Sequence, residues 1–248
     1  MKALILAAGY ATRLYPLTKT FPKPLLTVGG RPMIDYIVEK LERIPAVTEI
    51  IVVTNSKFIG RFRSWHKKHP SFKKISLVDD LTSTLEDRRG AIGDMHFAIR
   101  RKRIKDDLLV IGGDNLFNGE LLDFVAFCKG HASAPVIGVY DIRHFSEASR
   151  YGVAKLNTKS KVVDFQEKPA NPHSTLVAMC LYYFPASRLG LLERYFKACA
   201  GKCDATGCYI DWLRKTVTVY AHTFCGTWFD IGDPKYYKKA DKQFSKTP

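Results

Sequence analysis

The chain has 248 residues, 46% of them hydrophobic and 25% charged, and its 39 Lys and Arg against 24 Asp and Glu give a net charge of +15. That length supports one large domain with a full core, and the balance excludes a disordered chain. No apolar run approaches the roughly 18 residues that a spanning helix needs, which excludes a membrane protein of that kind.

Lys2 to Ala7 reads as a buried first strand, because its apolar stretch is short and Arg13 and Lys19 follow without a further hydrophobic span, unlike a secretory leader. On that reading the protein is cytoplasmic and has no membrane partner. Met33, Ile34, Ile37, Val38 and Leu41 recur at helical spacing between Pro32 and Arg43. Glu49 to Thr54 is a second strand, Phe58 to His69 a helix with a basic face, and Ile75 to Val78 a third strand. Ala91 to Arg101 returns to helix, and Leu108 to Ile111 is a strand that ends in Gly112-Gly113-Asp114. This alternation predicts a parallel sheet covered on both faces, with ligands gathered at the strands' carboxyl ends, where Gly9 and Asp114 lie.

The second half changes character. Val136–Val139, Gly152–Leu156, Val162–Phe165 and Val177–Phe184 read as closely spaced strands, with a hairpin through Asn157 to Lys161. Ala186 to Ala198 reads as helix, Val217–Ala221 and Thr227–Ile231 as late strands, and Pro234 opens a terminal helix with Tyr236, Ala240 and Phe244 on one stripe. The expectation is a single α/β domain over 1–248 with an antiparallel excursion. Residues 1–117 form its nucleotide-binding half, and 118–248 its sugar-phosphate-binding half with the C-terminal helix.

Charge and cysteines bear on partners. The positive charge favours polyanions, and the stretches Lys57 to Lys74 and Arg100 to Lys105 keep nucleic acid open as a weaker alternative. Six cysteines without a leader read as free thiols, with a zinc site through Cys199, Cys203 and Cys208 as the alternative. That cluster lacks a CxxC pair. Self-association as a homo-oligomer is left open by the sequence.

The segment Leu6-Ala7-Ala8-Gly9-Tyr10-Ala11-Thr12-Arg13, continuing to Pro22-Lys23-Pro24-Leu25, carries the most chemistry. A small-residue loop after a strand lets backbone N–H groups approach phosphate oxygens, Arg13 adds a forked cation and Lys23 a point charge. Ala11 stands where GxGxxG needs a glycine, and no GK[ST] follows, so neither a dinucleotide fingerprint nor a P-loop fits. By itself the segment reads equally well as a solvated strand–helix connection.

Taken whole, the segment resembles the signature GxGTRxxPxTxxxPKxL of the sugar-phosphate nucleotidyltransferases, with Gly9, Thr12, Arg13, Pro16, Thr18, Pro22, Lys23 and Leu25 in register and Ala11 in place of a glycine. Gly113-Asp114-Asn115-Leu116-Phe117 resembles the GDN[IL]F motif of glucose-1-phosphate thymidylyltransferases. Tyr151-Gly152-Val153 and Glu167-Lys168-Pro169 resemble the family's sugar-site motifs, and Trp228-Phe229-Asp230-Ile231-Gly232 its second metal-aspartate segment. The resemblance implies a Rossmann-like, mainly parallel mixed sheet flanked by helices, in the short form without a C-terminal β-helix.

It further implies a Mg²⁺-dependent enzyme that joins a nucleoside triphosphate to a sugar 1-phosphate and releases pyrophosphate. Asp114 and Asp230 would hold the metal. Arg13, Lys23 and Lys168 would be catalytic, and Leu6, Ala8, Gly9, Thr12, Arg13, Gly90 and Asp114 would contact the nucleotide. Tyr151, Gly152, Glu167 and Lys168 would contact the sugar phosphate. Alanine at position 11 implies a slightly different phosphate loop. The GDNLF motif favours dTTP or UTP. Departures at Thr82 to Asp94 and at Cys180, where the family has a Gln and Pro and a glycine, admit a cytidylyltransferase acting on choline phosphate or a similar alcohol phosphate. The rival of another class is a nucleotide- or RNA-binding protein on a degenerate transferase fold.

Overall fold

The computed structural model describes residues 1–199 and 203–245. Strands β1 (Lys2–Leu6), β4 (Glu49–Thr54), β5 (Ile75–Asp79) and β6 (Leu108–Gly112) pair in parallel in the order β6-β1-β4-β5. Short hairpin strands β2 (Thr27–Val28) and β3 (Arg31–Pro32) stand apart, and β7 (Asn115–Phe117) follows β6. The parallel strands are nearly continuous runs of Leu, Ile and Val because both of their faces are covered.

The chain winds outward from β1 to β5 and then returns to β1's other side as β6. That reversal is a topological switch point, and it opens a crevice beyond the carboxyl ends of β1 and β6. The second half extends the same sheet with β8 (Val136–Asp141), β9 (Gly152–Leu156), β10 (Val162–Glu167), β11 (Leu176–Phe184) and β12 (Tyr220–Phe224). Strand β11 runs antiparallel to β6, β8 and β9, which completes a mixed nine-stranded sheet. A separate two-stranded ribbon joins β7 to β13 (Trp228–Asp230).

Helices α1 (Met33–Glu42), α2 (Ile59–Lys68) and α4 (Leu121–Gly130) cover one face with Ile34, Ile37, Val38, Phe62, Trp65 and Phe124 against Ala3 and Ile5. Helices α3 (Gly90–Lys102), α6 (Gly190–Cys199) and α7 (Thr206–Thr216) cover the other with Ile92, Met95, Leu192, Tyr209 and Leu213 against Leu4. A single turn, α5 (Phe145–Ala148), precedes β9. The last helix, α8 (Pro234–Phe244), is capped by Asp233, whose carboxylate accepts from Lys235 N and Tyr236 N. Ala240 seats it on a third cluster with Leu14, Met33, Phe229 and Ile231. Among the described residues no helix is long and apolar enough to cross a membrane.

Three expectations change. Ala186–Arg188 is a 3-10 turn, held at its start by Asp107 Oδ1 on Ala186 N at 2.8 Å, and the α-helix begins at Gly190. Val217–Ala221 is not one strand. An unanticipated helix, α7, runs to Thr216, so the strand starts only at Tyr220. The six cysteines are not all free thiols: Cys203 and Cys208 form a disulfide across the start of α7, while Cys128, Cys180, Cys199 and Cys225 remain free. The bond consumes two of the three sulfurs that the zinc alternative needs, and no group of three metal-binding side chains occurs among the described residues.

Candidate active site

The loop after β1 is pinned by groups reaching across from β4. Thr54 Oγ1 donates to Ala7 O at 3.1 Å, and Asn55 Nδ2 donates to Ala8 O at 2.8 Å. Ala11 then takes the left-handed conformation, φ 48° and ψ 46°, which a glycine adopts freely and an L-residue at a cost of about 1–2 kcal/mol. The Thr18 hydroxyl holds it there by donating to Ala11 O at 2.7 Å. A 3-10 turn, Thr12–Leu14, follows and presents Arg13.

Across the crevice, Gly113 N donates to Leu6 O at 2.8 Å, so the end of β6 is drawn onto the end of β1. A Cβ at Gly113 would lie 2.9 Å from that same carbonyl, which reserves the position for glycine. Asp114 comes next. In the β7–β13 ribbon Asp230 stands opposite Asn115, one residue from Asp114, although 116 positions separate the two acids in sequence (230 − 114). Asn115 locks the ribbon: its Nδ2 donates to Met179 O, and its Oδ1 accepts from Trp228 Nε1 at 2.6 Å.

Asp114 and Asp230 are held differently. Burial alone would raise the Asp114 carboxyl, but the adjoining Lys23 ammonium outweighs it, with help from Arg13, and holds Asp114 below its ordinary value. Asp230 is pushed up, first by burial and then by the charge of Asp114, against opposition from Lys23, Arg13 and Arg150. The Lys23 side chain is only 10% exposed and is spent on Asp114. Arg13 and Arg150 pass on one side of Gly232, where a Cβ would lie 3.6–3.8 Å from their guanidinium nitrogens. Arg150 is anchored by Asp233 at 3.0 Å.

Three connected hollows share these residues. The largest, about 610 Å³, is lined by Leu6, Ala8, Gly9, Thr12, Arg13, Gly90, Asp114 and Lys168, all singled out in the sequence. Tyr10, Asp80, Arg88, Asp94, Cys180 and Asp204 line it too. A second, about 150 Å³, brings Tyr151, Gly152, Glu167 and Lys168 together with Arg13 and Asp230. A third, about 200 Å³, has both Asp114 and Asp230 in its wall. Lys23 lines none of the three. It stands behind Asp114.

Lys168 borders the first and second hollows at once, with a positive φ of 47° and its N–H donating to Tyr151 O at 2.9 Å. Glu167 lies over the start of α7, so close that a Cβ on Gly207 would overlap its carboxylate. Its pKa is raised by burial, opposed by Lys168. Cys180 borders all three hollows and has a positive φ of 51°. Burial, then Asp114 and Asp230, pushes its thiol up to about 12, so it is no thiolate nucleophile at neutral pH. Sequence reasoning missed Arg150, Thr206 and Gly207 at the second hollow, and Tyr10, Asp80, Asp94 and Asp204 at the first. Arg150 directly precedes the YGV motif, and adjacency alone could have flagged it.

A loop at a switch point, two convergent acids and flanking cations are a set of groups that suits polyphosphate ligands on an α/β sheet. The nucleotidyl transferase family model matches residues 2–247, and the chain belongs to that family. It is similar to the bifunctional protein GlmU of Methanococcus aeolicus, 29% identical over 236 residues, covering 94% of this chain and 52% of the relative. It is also similar to the bifunctional protein GlmU of Methanocaldococcus jannaschii, 28% identical over 245 residues, with 98% and 54% covered. The chain thus spans about half the length of these curated relatives.

Among solved structures, a putative glucose-1-phosphate thymidylyltransferase from Bacillus anthracis, in complex with a sucrose, superposes with a TM-score of 0.82. It shares 23% identity, and the match covers 100% of this chain and 96% of that one. A UDP-glucose pyrophosphorylase complexed with UDP-glucose gives 0.81 at 20% identity, covering 100% and 99%. Both likenesses establish the fold.

Proposed function

We propose that the protein transfers a nucleotidyl group from a nucleoside triphosphate to a sugar 1-phosphate, giving an NDP-sugar and pyrophosphate. The observation that carries this is the meeting of Asp114 and Asp230 in one wall, beside Lys23 and Arg13, at the mouth of a cleft running from the Gly9 loop to Lys168. Two facing carboxylates, one spent on Lys23 and one with no hydrogen bond or ion pair among the described residues, suit a hard divalent cation that takes its remaining ligands from phosphates and water. Mg²⁺, when bound by Asp114 and Asp230, would offset phosphate charge at the reacting phosphorus.

In this reading an oxygen of the sugar phosphate attacks the α-phosphorus, the bond to the β-phosphate oxygen breaks, and pyrophosphate leaves with that electron pair. No general base is needed, because the attacking phosphate is already ionised. Arg13 faces the departing pyrophosphate from the loop. Lys168, open to both hollows, lies within reach of phosphates from either partner and aligns them. Lys23 acts through Asp114: its buried ammonium keeps that carboxylate ionised and oriented. Tyr151, Gly152 and Glu167 hold the acceptor.

The expectation of dTTP or UTP rested on GDNLF, but Asp114 and Asn115 work at the metal end and at Trp228, so that motif says little about the base. A second reading of the acceptor, choline phosphate or another small alcohol phosphate, is favoured by the small size of the second hollow, about 150 Å³ with Cys180 in its wall. The test is pyrophosphate release over a panel of five triphosphates with hexose 1-phosphates and choline phosphate. Release should need Mg²⁺, a triphosphate and an acceptor together. Failure across the panel, with tight salt-sensitive RNA binding, would instead support the nucleic-acid reading.

A further inference from the structure

The cleft's far end holds a second group of acids, with Arg88 beside Asp204. Asp80, Asp94 and Asp204 line it, and the charges acting on Asp94 are those of Asp80, Arg89 and Asp204. Asp94 sits one helical turn after Gly90 on α3 and is 6% exposed. Its Oδ1 is buried without a hydrogen-bond partner among the described residues. The Tyr10 hydroxyl, on the same cleft, is also buried without one, with Thr82 beside it. Among the described residues the other elements contribute no donor: Asp80 Oδ1 is taken by Thr82 N at 2.7 Å and Thr82 Oγ1 at 2.8 Å, and Arg89 Nε donates to the Asp80 carbonyl at 2.7 Å rather than to Asp94.

A buried acceptor with no donor is costly, and a carboxyl that served only the fold would be paired. Helix capping does not use it either. Asp94 lies beyond the first turn of α3, where the free Ile92 N–H is already satisfied by Asp204 O at 3.2 Å. We infer that Asp94, steadied by Asp80, selects the nucleobase, and that the site takes a base bearing an exocyclic amine in preference to uracil or thymine. This inference rests on the nucleotidyl-transfer reading and names its donor substrate.

Burial and the neighbouring Asp80 push the Asp94 carboxyl up to about 8, so Asp94 holds its proton at neutral pH. With that proton turned toward Asp80, the unpartnered Oδ1 is left as an acceptor. An amine on cytosine, adenine or guanine brings two N–H donors to this wall. Uracil and thymine bring one N–H flanked by two carbonyls, whose lone pairs would face the same acids. A site built around a buried acceptor discriminates strongly against a partner that leaves it unpaired.

The test measures kcat/KM for CTP, ATP, GTP, UTP and dTTP with a fixed acceptor, alongside calorimetric binding of each triphosphate. The wild-type protein should favour at least one amine-bearing triphosphate over UTP and dTTP by on the order of 10- to 100-fold. Asp94→Asn keeps a carbonyl acceptor and donates its amide to Asp80, so it should keep the preference. Asp94→Leu should compress it to within about threefold. Equal or better use of UTP or dTTP by the wild type overturns the inference, as does an unchanged ratio in Asp94→Leu. If Asp94→Leu does not fold, the wild-type ranking decides alone. Should no acceptor support turnover, the binding ranking still tests Asp94 while the transfer reading falls. If no triphosphate binds, both fall.

Discussion

Replacing Asp94 by Asn should change how stability depends on pH. The carboxyl is 6% exposed and, through burial and then Asp80, is pushed up to about 8 in the folded protein from an ordinary value of 3.8. Because the folded value lies above the unfolded one, the group's contribution is fully present below about pH 4 and is lost as pH rises through 8. Between those limits the loss runs at about 1.4 kcal/mol per pH unit, giving a ceiling of roughly 4 kcal/mol at pH 7. Asparagine needs no proton and offers Asp80 an N–H donor, so the variant escapes the loss. Even half the ceiling would raise Tm by roughly 4–8 °C for a chain of this size. The assay is thermal unfolding of both proteins, without nucleotide, from pH 5 to 8. The difference in Tm should grow steadily with pH. A constant difference, or none, would refute the reasoning.

Four further outcomes follow from the same geometry. Ala11→Gly should stabilise the protein by about 0.5–1 kcal/mol in denaturant unfolding, since relief of the left-handed strain is partly offset by the greater freedom of unfolded glycine. Gly90→Ala should lose about 1–3 kcal/mol by the same measure, because φ is 72° there and a Cβ would collide with Asp204. Asp230→Asn removes one of two facing half-buried carboxylates, so it should raise the Tm of the metal-free protein by roughly 2–4 °C while lowering pyrophosphate release at least 100-fold. Mass spectrometry under denaturing, non-reducing conditions should find four alkylatable thiols, with two more after reduction.

The fold was legible where hydrophobic period and punctuation agreed. The β-branched runs at Glu49–Thr54 and Leu108–Gly112, each ending in small or polar residues, could only be strands with both faces covered. Helix α4 escaped notice because Leu121-Leu122-Asp123-Phe124-Val125-Ala126-Phe127 is apolar nearly all round, and such a run gives no stripe to read. Helix α7 escaped because Cys208, Tyr209, Ile210 and Trp212 suit a strand equally well, and its packing on β10 and the Cys203–Cys208 bond are tertiary facts.

The site divides along the same line. Asp114 and Asp230 were readable because short motifs carry them, yet their meeting depends on the β7–β13 register. Lys23 was readable from its motif, but its place behind Asp114, lining none of the three hollows, was not. Asp94 gave no signal at all. An aspartate in a helix ordinarily faces water, and only burial against Asp80 distinguishes this one.

The central claim, that two acids remote in sequence jointly grip a divalent ion against bound phosphates, is tested most directly with Mn²⁺ in place of Mg²⁺. Phosphorus NMR of a bound triphosphate would be recorded as Mn²⁺ is added to the wild type, Asp114→Asn and Asp230→Asn. The account predicts that paramagnetic broadening of the protein-bound phosphates saturates at one equivalent in the wild type, and that each variant needs at least about tenfold more Mn²⁺. Equal Mn²⁺ dependence in all three proteins would contradict it.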